Sequence, residues 1–280
     1  RRPMGELSKI AWTDSTFNPW IGCTKVVPGC DHCYAEALDK RYRWQGDTHW
    51  GAGKPRMRTS VANWKKPLAW NHKAAENRKP WRVFCASLAD VFDNEVPEQW
   101  RHDLYWLIMQ TPYLTWLLLT KRIGNVAKMH PGKLQSNMWL GATIVNAEEA
   151  KRDVPKLLAI PAPVHFVSYE PALGPVNWLA YPGIDWIIVG GESIQSGQAR
   201  EFNVEWARGT IKQSAYIGAA PFVKQLGSRQ GLKDRAGADP NEWPIDLRVR
   251  EFPIERIENA QRQTRLFEER KPKAEQLELG

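Results

Sequence analysis

Seven short and nearly unbroken apolar runs constrain this chain more than any other feature; they fall at 18–22, 82–87, 115–120, 138–143, 164–169, 186–190 and 221–224. One-sided antiparallel strands alternate apolar with polar residues, so runs of this kind fit strands covered on both faces. The stretches between them have helical length and polarity, the pattern of repeated βα units around a parallel sheet. Asp31 is placed to cap a helix over 32–44, and Pro97-Glu98 opens another with Trp100, Leu104 and Ile108 on its apolar stripe. Asn146 starts a third, to about Leu158, and Asn203 a fourth. The segment 46–77 is rich in Gly, Lys, Arg and Trp and weakly periodic, and reads as a basic, Trp-rich insertion. Past Gln225 the pattern fades. The expected division is a barrel domain over 1–227 and a charged extension over 228–280, helical from about Arg262 and then loose.

Three of the 4 cysteines, Cys23, Cys30 and Cys33, stand in one short loop between the first run and the first helix. Pro28-Gly29 fixes a turn there, so the three sulfurs can converge at the carboxyl ends of the strands, where α/β folds hold reactive chemistry. So few cysteines suit a reducing compartment and a metal site better than a disulfide framework. Three thiolates can hold three irons of a four-iron cluster and leave one iron open, whereas electron-transfer clusters usually take four cysteines. Structural zinc wants four closed ligands, so the competing reading is a zinc-stapled nucleic-acid-binding protein closed by His32 or a distant residue. That reading lacks the second CxxC or HxxxH pair such sites use. Cys85, inside an apolar run, is expected as a small core residue.

The loop belongs to a longer series of ordered blocks. These are Trp12-Thr-Asp14, Asn18-Pro-Trp-Ile-Gly-Cys23, Pro28-Gly-Cys-Asp-His-Cys-Tyr-Ala-Glu36, Leu117-Leu-Leu-Thr-Lys-Arg122, Trp139-Leu-Gly141, Ser168-Tyr-Glu-Pro-Ala-Leu-Gly-Pro175, Gly190-Gly-Glu-Ser193 and Pro221-Phe-Val-Lys-Gln225. In them the chain resembles the radical S-adenosylmethionine (SAM) superfamily, and more closely the phage-associated three-cysteine family related to it. The resemblance implies a partial (β/α) barrel of about six or seven parallel strands. It also implies a 4Fe-4S cluster on Cys23, Cys30 and Cys33, with SAM at the open iron. Cleavage of SAM would give a 5′-deoxyadenosyl radical that abstracts hydrogen from a substrate. For this family the substrate is expected to be a nucleobase or a modified thymine of phage DNA, with isomerisation of an amino-acid-modified thymidine as one form. Flavodoxin or ferredoxin would supply electrons, in the cytoplasm of an infected bacterium. Two departures stand out: the CxxxxxxCxxC spacing replaces the usual CxxxCxxC, and Ile194-Gln-Ser-Gly-Gln-Ala-Arg-Glu201 replaces a compact Gly and Pro stretch.

Polar residues recur at the carboxyl ends of the runs, where side chains would face a barrel's mouth. Ser87, Lys121, Thr143, Ser168, Glu170 and Glu192 are the candidate cofactor-binding positions there, with Asp90, Asp93, Thr120, Lys224 and Gln225 beside them. By the resemblance, His32 would lie near the adenine. Glu170 and Glu192 follow buried runs and need partners, which ribose hydroxyls, the SAM ammonium or a cationic substrate would supply. Lys121 suits a carboxylate or phosphate, and Arg122 a helix cap. The net charge of +8 suggests a polyanionic partner. In the insertion Arg56, Arg58 and Lys65 could neutralise phosphates while Trp64 stacks on bases. No apolar run reaches the roughly 18 residues of a membrane span, and the amino terminus has no signal-peptide core.

Overall fold

A computed structural model describes residues 8–194 and 199–253, and the helix expected from about Arg262 lies outside them. The chain opens with β1 (Ser15–Thr16), β2 (Trp20–Ile21), α1 (Tyr34–Tyr42), β3 (Met57–Arg58) and α2 (Val61–Asn77). It continues through β4 (Trp81–Cys85), α3 (Glu98–Met109), β5 (Leu114–Thr120), α4 (Ile123–Met129), β6 (Met138–Thr143) and α5 (Ala147–Leu158). Last come β7 (His165–Tyr169), β8 (Trp186–Gly190), α6 (Val204–Ile217) and β9 (Ala220–Gln225). Seven strands form one curled half-barrel sheet in the order β1-β4-β5-β6-β7-β8-β9, and every pairing in it is parallel.

Six of the seven expected strands appear in this sheet near their expected positions. The first does not. The sheet's edge strand is β1, while Trp20–Ile21 pairs antiparallel with Met57–Arg58 in a separate ribbon. Pro19 interrupts the run without an amide to give to a ladder. Asn18 instead uses its side chain, donating to Ser87 Oγ and accepting from Leu88 N, which fastens the segment to the end of β4.

The stretch read as an insertion contains a regular crossover helix. Ser60 caps α2 by accepting from Asn63 N, and Trp70 and Ala74 are buried against the sheet while Lys65 and Lys66 are exposed. Its apolar stripe, Trp64-Pro67-Trp70-Ala74, is one residue wide, which is why the periodicity is faint. Helix α1 also departs from expectation: a 3-10 turn over Pro28–Cys30 precedes it, and Cys33 rather than Asp31 is its N-cap. Asn146 and Asn203 do cap α5 and α6.

Period-two alternation sorts the strand residues between two cores. Leu118, Leu140, Ala142, Val167, Ile187 and Val189 pack outward on helix residues such as Trp70, Leu104, Val154 and Ala207. Facing the other way, Phe84, Leu117, Trp139, Phe166, Trp186, Ile188 and Phe222 join Trp12 in an aromatic plug inside the curl. Thr143 and Ser168 are register partners on this inner face, nearer the carboxyl ends than the plug. Phe252 closes the plug from below, its ring 5.3 Å from Trp186 and 5.4 Å from Phe222, with the Arg82 guanidinium 3.7 Å over it. It is carried there by the strap that follows β9, where Phe222 and Arg250 form an antiparallel bridge and Glu251 N donates to Pro221 O.

Gly141 makes the plug possible, because a Cβ there would fall within the Phe166 ring. Phe166 is 0% exposed and has nowhere to go. Gly141→Ala is therefore expected to cost about 1–3 kcal/mol in urea unfolding. Gly124→Ala, where a Cβ meets nothing within 4 Å, should be neutral or stabilise by up to about 1 kcal/mol.

Candidate active site

The cysteine loop lies over the carboxyl edge of the sheet. Its approach is dictated at Gly22, whose φ of +115° suits glycine, and where a Cβ would clash with the His49 carbonyl. Gly22 N donates to Leu88 O, and Gly51 N donates to Cys23 O. Further along, a Cβ on Gly29 would meet Val145 Cγ1 at 2.8 Å, so the loop crosses closely over the end of β6. Cys30 is buried, and Cys23 and Cys33 are half-buried.

Two arginines with little-exposed side chains grip the start of the loop. Arg122 Nη1 donates to Cys23 Sγ at 3.3 Å and Nη2 donates to Thr24 O at 2.7 Å. Arg56 Nη2 donates to Thr24 Oγ1 at 2.7 Å. Asp93 lies between the arginines, 2.8 Å from Arg56 Nη2 and 3.8 Å from Arg122 Nη2. Asp90 flanks Arg122 at 3.4 Å and accepts from Thr120 Oγ1, Lys121 N and Phe92 N. Arg122 does stand at the N-cap position of α4, but its side chain makes no capping bond, which corrects the expected helix-cap role.

A third arginine holds the far end of the loop. Arg200 Nη2 donates to Glu192 Oε1 at 2.7 Å and Nε donates to Oε2 at 3.1 Å, while Nη1 reaches Pro28 O at 3.1 Å. His32 Nδ1 lies 2.9 Å from the same Glu192 Oε2. Glu192 and His32 therefore find their partners within the chain. Arg200 was not anticipated from the sequence. Its only signal was a cation eight residues beyond a carboxylate that needed one.

The remaining candidates sit along the same edge. Lys121 Nζ donates to Thr143 Oγ1 at 3.2 Å, and Ser168 Oγ donates to Glu170 Oε2 at 3.3 Å. Lys224 Nζ stands 2.9 Å from Glu170 Oε1 as an ion pair without hydrogen-bond alignment. Ser87 is taken up by Asn18, and its carbonyl accepts from Tyr34 Oη. Cys85 is 0% exposed within β4.

Of the nucleic-acid positions, Arg56 needs correction. Arg56 is buried against Asp93, Glu95 and three loop carbonyls, so it has no face for a phosphate. Arg58 is paired with Asp103 at 2.6 Å and lies 4.3 Å over Trp64, which packs on the outer core. Lys65 is exposed. Desolvation overrode the sequence reading here: a guanidinium among carboxylates and carbonyls is more stable inside than a bare one would be.

The donor set fits a group carried on thiolates. Burial pushes the Cys23 thiol up to about 12, with Asp90 adding to the rise and Arg122 opposing it. Burial also raises Cys33, against backbone N–H groups of Glu36 and Ala35 and the charge of Lys121. Sulfurs so buried, yet supplied with cationic and N–H partners, are suited to hold negative charge once a metal replaces the proton. Among the described residues, no three His, Cys, Asp or Glu side chains converge on a single ion, and no helix is long and apolar enough to cross a membrane.

Fold and site together define an α/β half-barrel protein with a three-cysteine loop over the carboxyl edge of its sheet. The chain belongs to the family described as Protein of unknown function (DUF5131), whose model matches residues 7–274. No curated protein matches it. Among solved structures it is similar to a variant of spore photoproduct lyase, with a TM-score of 0.45 and 14% identity over 77% of this chain. It is also similar to that lyase complexed with dinucleoside spore photoproduct (TM-score 0.45, 13% identity, 77% of this chain). A third match is a variant with bound AdoMet and the same dinucleoside (TM-score 0.41, 13% identity, 77% of this chain). In each comparison the chain spans 65% of the other protein's length.

Burial alone would raise the Glu192 carboxyl, but the hydrogen bonds from Arg200, with His32, hold it below its ordinary 4.5. A depressed carboxyl contributes stability that is present above its unfolded value and lost as pH falls through the folded one. Thermal midpoints taken from about pH 6 down to about pH 3 should therefore fall less steeply in Glu192→Gln than in wild type. Parallel curves would show that the Arg200 contact contributes nothing.

Proposed function

We propose that this protein is a radical SAM enzyme acting on a nucleobase. The observation that carries the reading is a three-cysteine loop clamped over the open carboxyl edge of a parallel half-barrel, beside a row of polar strand-end residues. Cys23, Cys30 and Cys33 would hold a 4Fe-4S cluster through three of its irons, leaving the fourth for SAM. When bound, cluster and SAM supply reductive carbon–sulfur cleavage and, through it, hydrogen abstraction from an unactivated carbon.

The chain's own residues would bind, orient and shield. Lys121, with its ammonium at the inner mouth beside Thr143, suits the SAM carboxylate. Ser168 and Glu170 suit the SAM ammonium or ribose, and Lys224 sets the Glu170 carboxylate in place. The aromatic plug beneath them keeps water out of the site from below. Glu192 and His32 are reassigned from cofactor contact to holding the loop, since Arg200 and each other already engage them.

Support for a nucleic-acid substrate moves from the insertion to the end of α1. Arg41 and Arg43 are exposed there, flanking Tyr42, whose ring lies 5.5 Å from that of Trp44. Cations interleaved with aromatic rings at the surface suit single-stranded or splayed bases. A modified thymine of phage DNA, rearranged by an isomerase, is the finer form of this reading.

Anaerobically reconstituted wild type is expected to carry about four irons with matching sulfide, and to release 5′-deoxyadenosine from SAM and dithionite. Cys23→Ala, Cys30→Ala and Cys33→Ala should each abolish the cluster, and Cys85→Ala should keep it. A single zinc in place of iron would install the staple reading instead. For the substrate, a single-stranded oligonucleotide followed by fluorescence anisotropy should bind more weakly to Arg41→Ala/Arg43→Ala, with a salt slope smaller by about two. An unchanged slope would remove α1 from the interface.

A further inference from the structure

Of the three cysteine sulfurs, Cys23 is the one that receives a side-chain N–H from an arginine, Arg122, among the described residues. That arginine is built in rather than draped over the loop. Its side chain is 8% exposed, and Asp90 and Asp93, also buried, fix the guanidinium plane. Asp90 is itself fixed by Thr120, Lys121 N and Phe92 N, so the whole unit is anchored in the end of β5 and the loop that follows β4. With its second amino group on Thr24 O, Arg122 cannot turn away from the sulfur without breaking three other contacts.

Resting on the cluster reading above, we infer that Arg122 is a positioning residue that sets the cluster's reduction potential through Cys23. Hydrogen bonds to ligating sulfurs and nearby charge are among the terms that set cluster potentials. Reduction adds one electron and therefore one unit of negative charge to the cluster. A donor N–H and a positive charge at the Cys23 sulfur stabilise the reduced form and raise the potential. Asp90 acts in the opposite sense from the other side of the same guanidinium. The pair predicts opposite signs for two neighbouring substitutions, which a purely mechanical clamp does not.

The test uses wild type, Arg122→Gln, Arg122→Lys and Asp90→Asn, each loaded anaerobically with iron and sulfide. Each is titrated with dithionite as the electron donor, and the reduced cluster is followed by electron paramagnetic resonance. Arg122→Gln is expected to disfavour reduction about tenfold, ~59 mV for one electron. Arg122→Lys should shift the same way by less, and Asp90→Asn should shift to higher potential. Coincident potentials in clusters of normal occupancy would overturn the inference and leave the three-cysteine assignment standing. Shifts of Arg122→Lys and Asp90→Asn in the same direction would also overturn it. If Arg122→Gln holds no cluster, those two variants decide by the same criterion. A wild type that assembles no cluster would overturn the functional reading, and the inference with it.

Discussion

Buried charge held in balance is the constraint on which this structure turns. Arg56, Asp93, Arg122 and Asp90 form a continuous ionic unit beneath the first cysteine, with side chains no more than 8% exposed. Removing any one partner would leave an uncompensated charge in a poorly hydrated place, which typically costs several kcal/mol, about 3–5. Such a unit adds little net stability compared with packed apolar residues. Its value lies in direction: each guanidinium has one orientation that satisfies all its neighbours. The loop carrying Cys23 is therefore held by contacts of fixed orientation.

The sheet explains why that loop can face open chemistry. A parallel half-barrel has an inner face with no helix to cover it, and here the lower part is filled by aromatic rings from five strands and the flanking segments. Because the rings stop short of the carboxyl edge, the upper inner positions fall to Thr143, Ser168 and Lys224. Apolar plug below and polar rim above follow from the same alternation, read a few residues apart along each strand.

Much of this was legible in the sequence because it depends on local patterns. Runs buried on both faces declared a parallel sheet, and the caps Asn146 and Asn203 declared their helices. Strand-end polar residues could be named because a strand's last residues have only one place to go. What escaped was set by partners distant in the chain. Arg56 and Asp93 are 37 positions apart, and Arg200 reaches back 172 positions to Pro28. Composition alone could not separate arginines that neutralise carboxylates from those free for phosphate. Similarly, the run at 18–22 looked like a sheet strand because nothing local revealed that Asn18 spends its amide on the turn after β4.

The strap beyond β9 has a bearing on how the molecule keeps to itself. Val223 N donates to Val249 O, and Glu251 N to Pro221 O, so the last strand's outer border is occupied by the chain's own backbone. A version shortened to where the strand pattern ends would present that border bare, alongside aromatic rings stripped of Phe252. Unpaired strand borders recruit one another. Shortened molecules would thus be expected to associate through their sheets, and the unassuming residues around Arg250 serve as a guard against self-recognition.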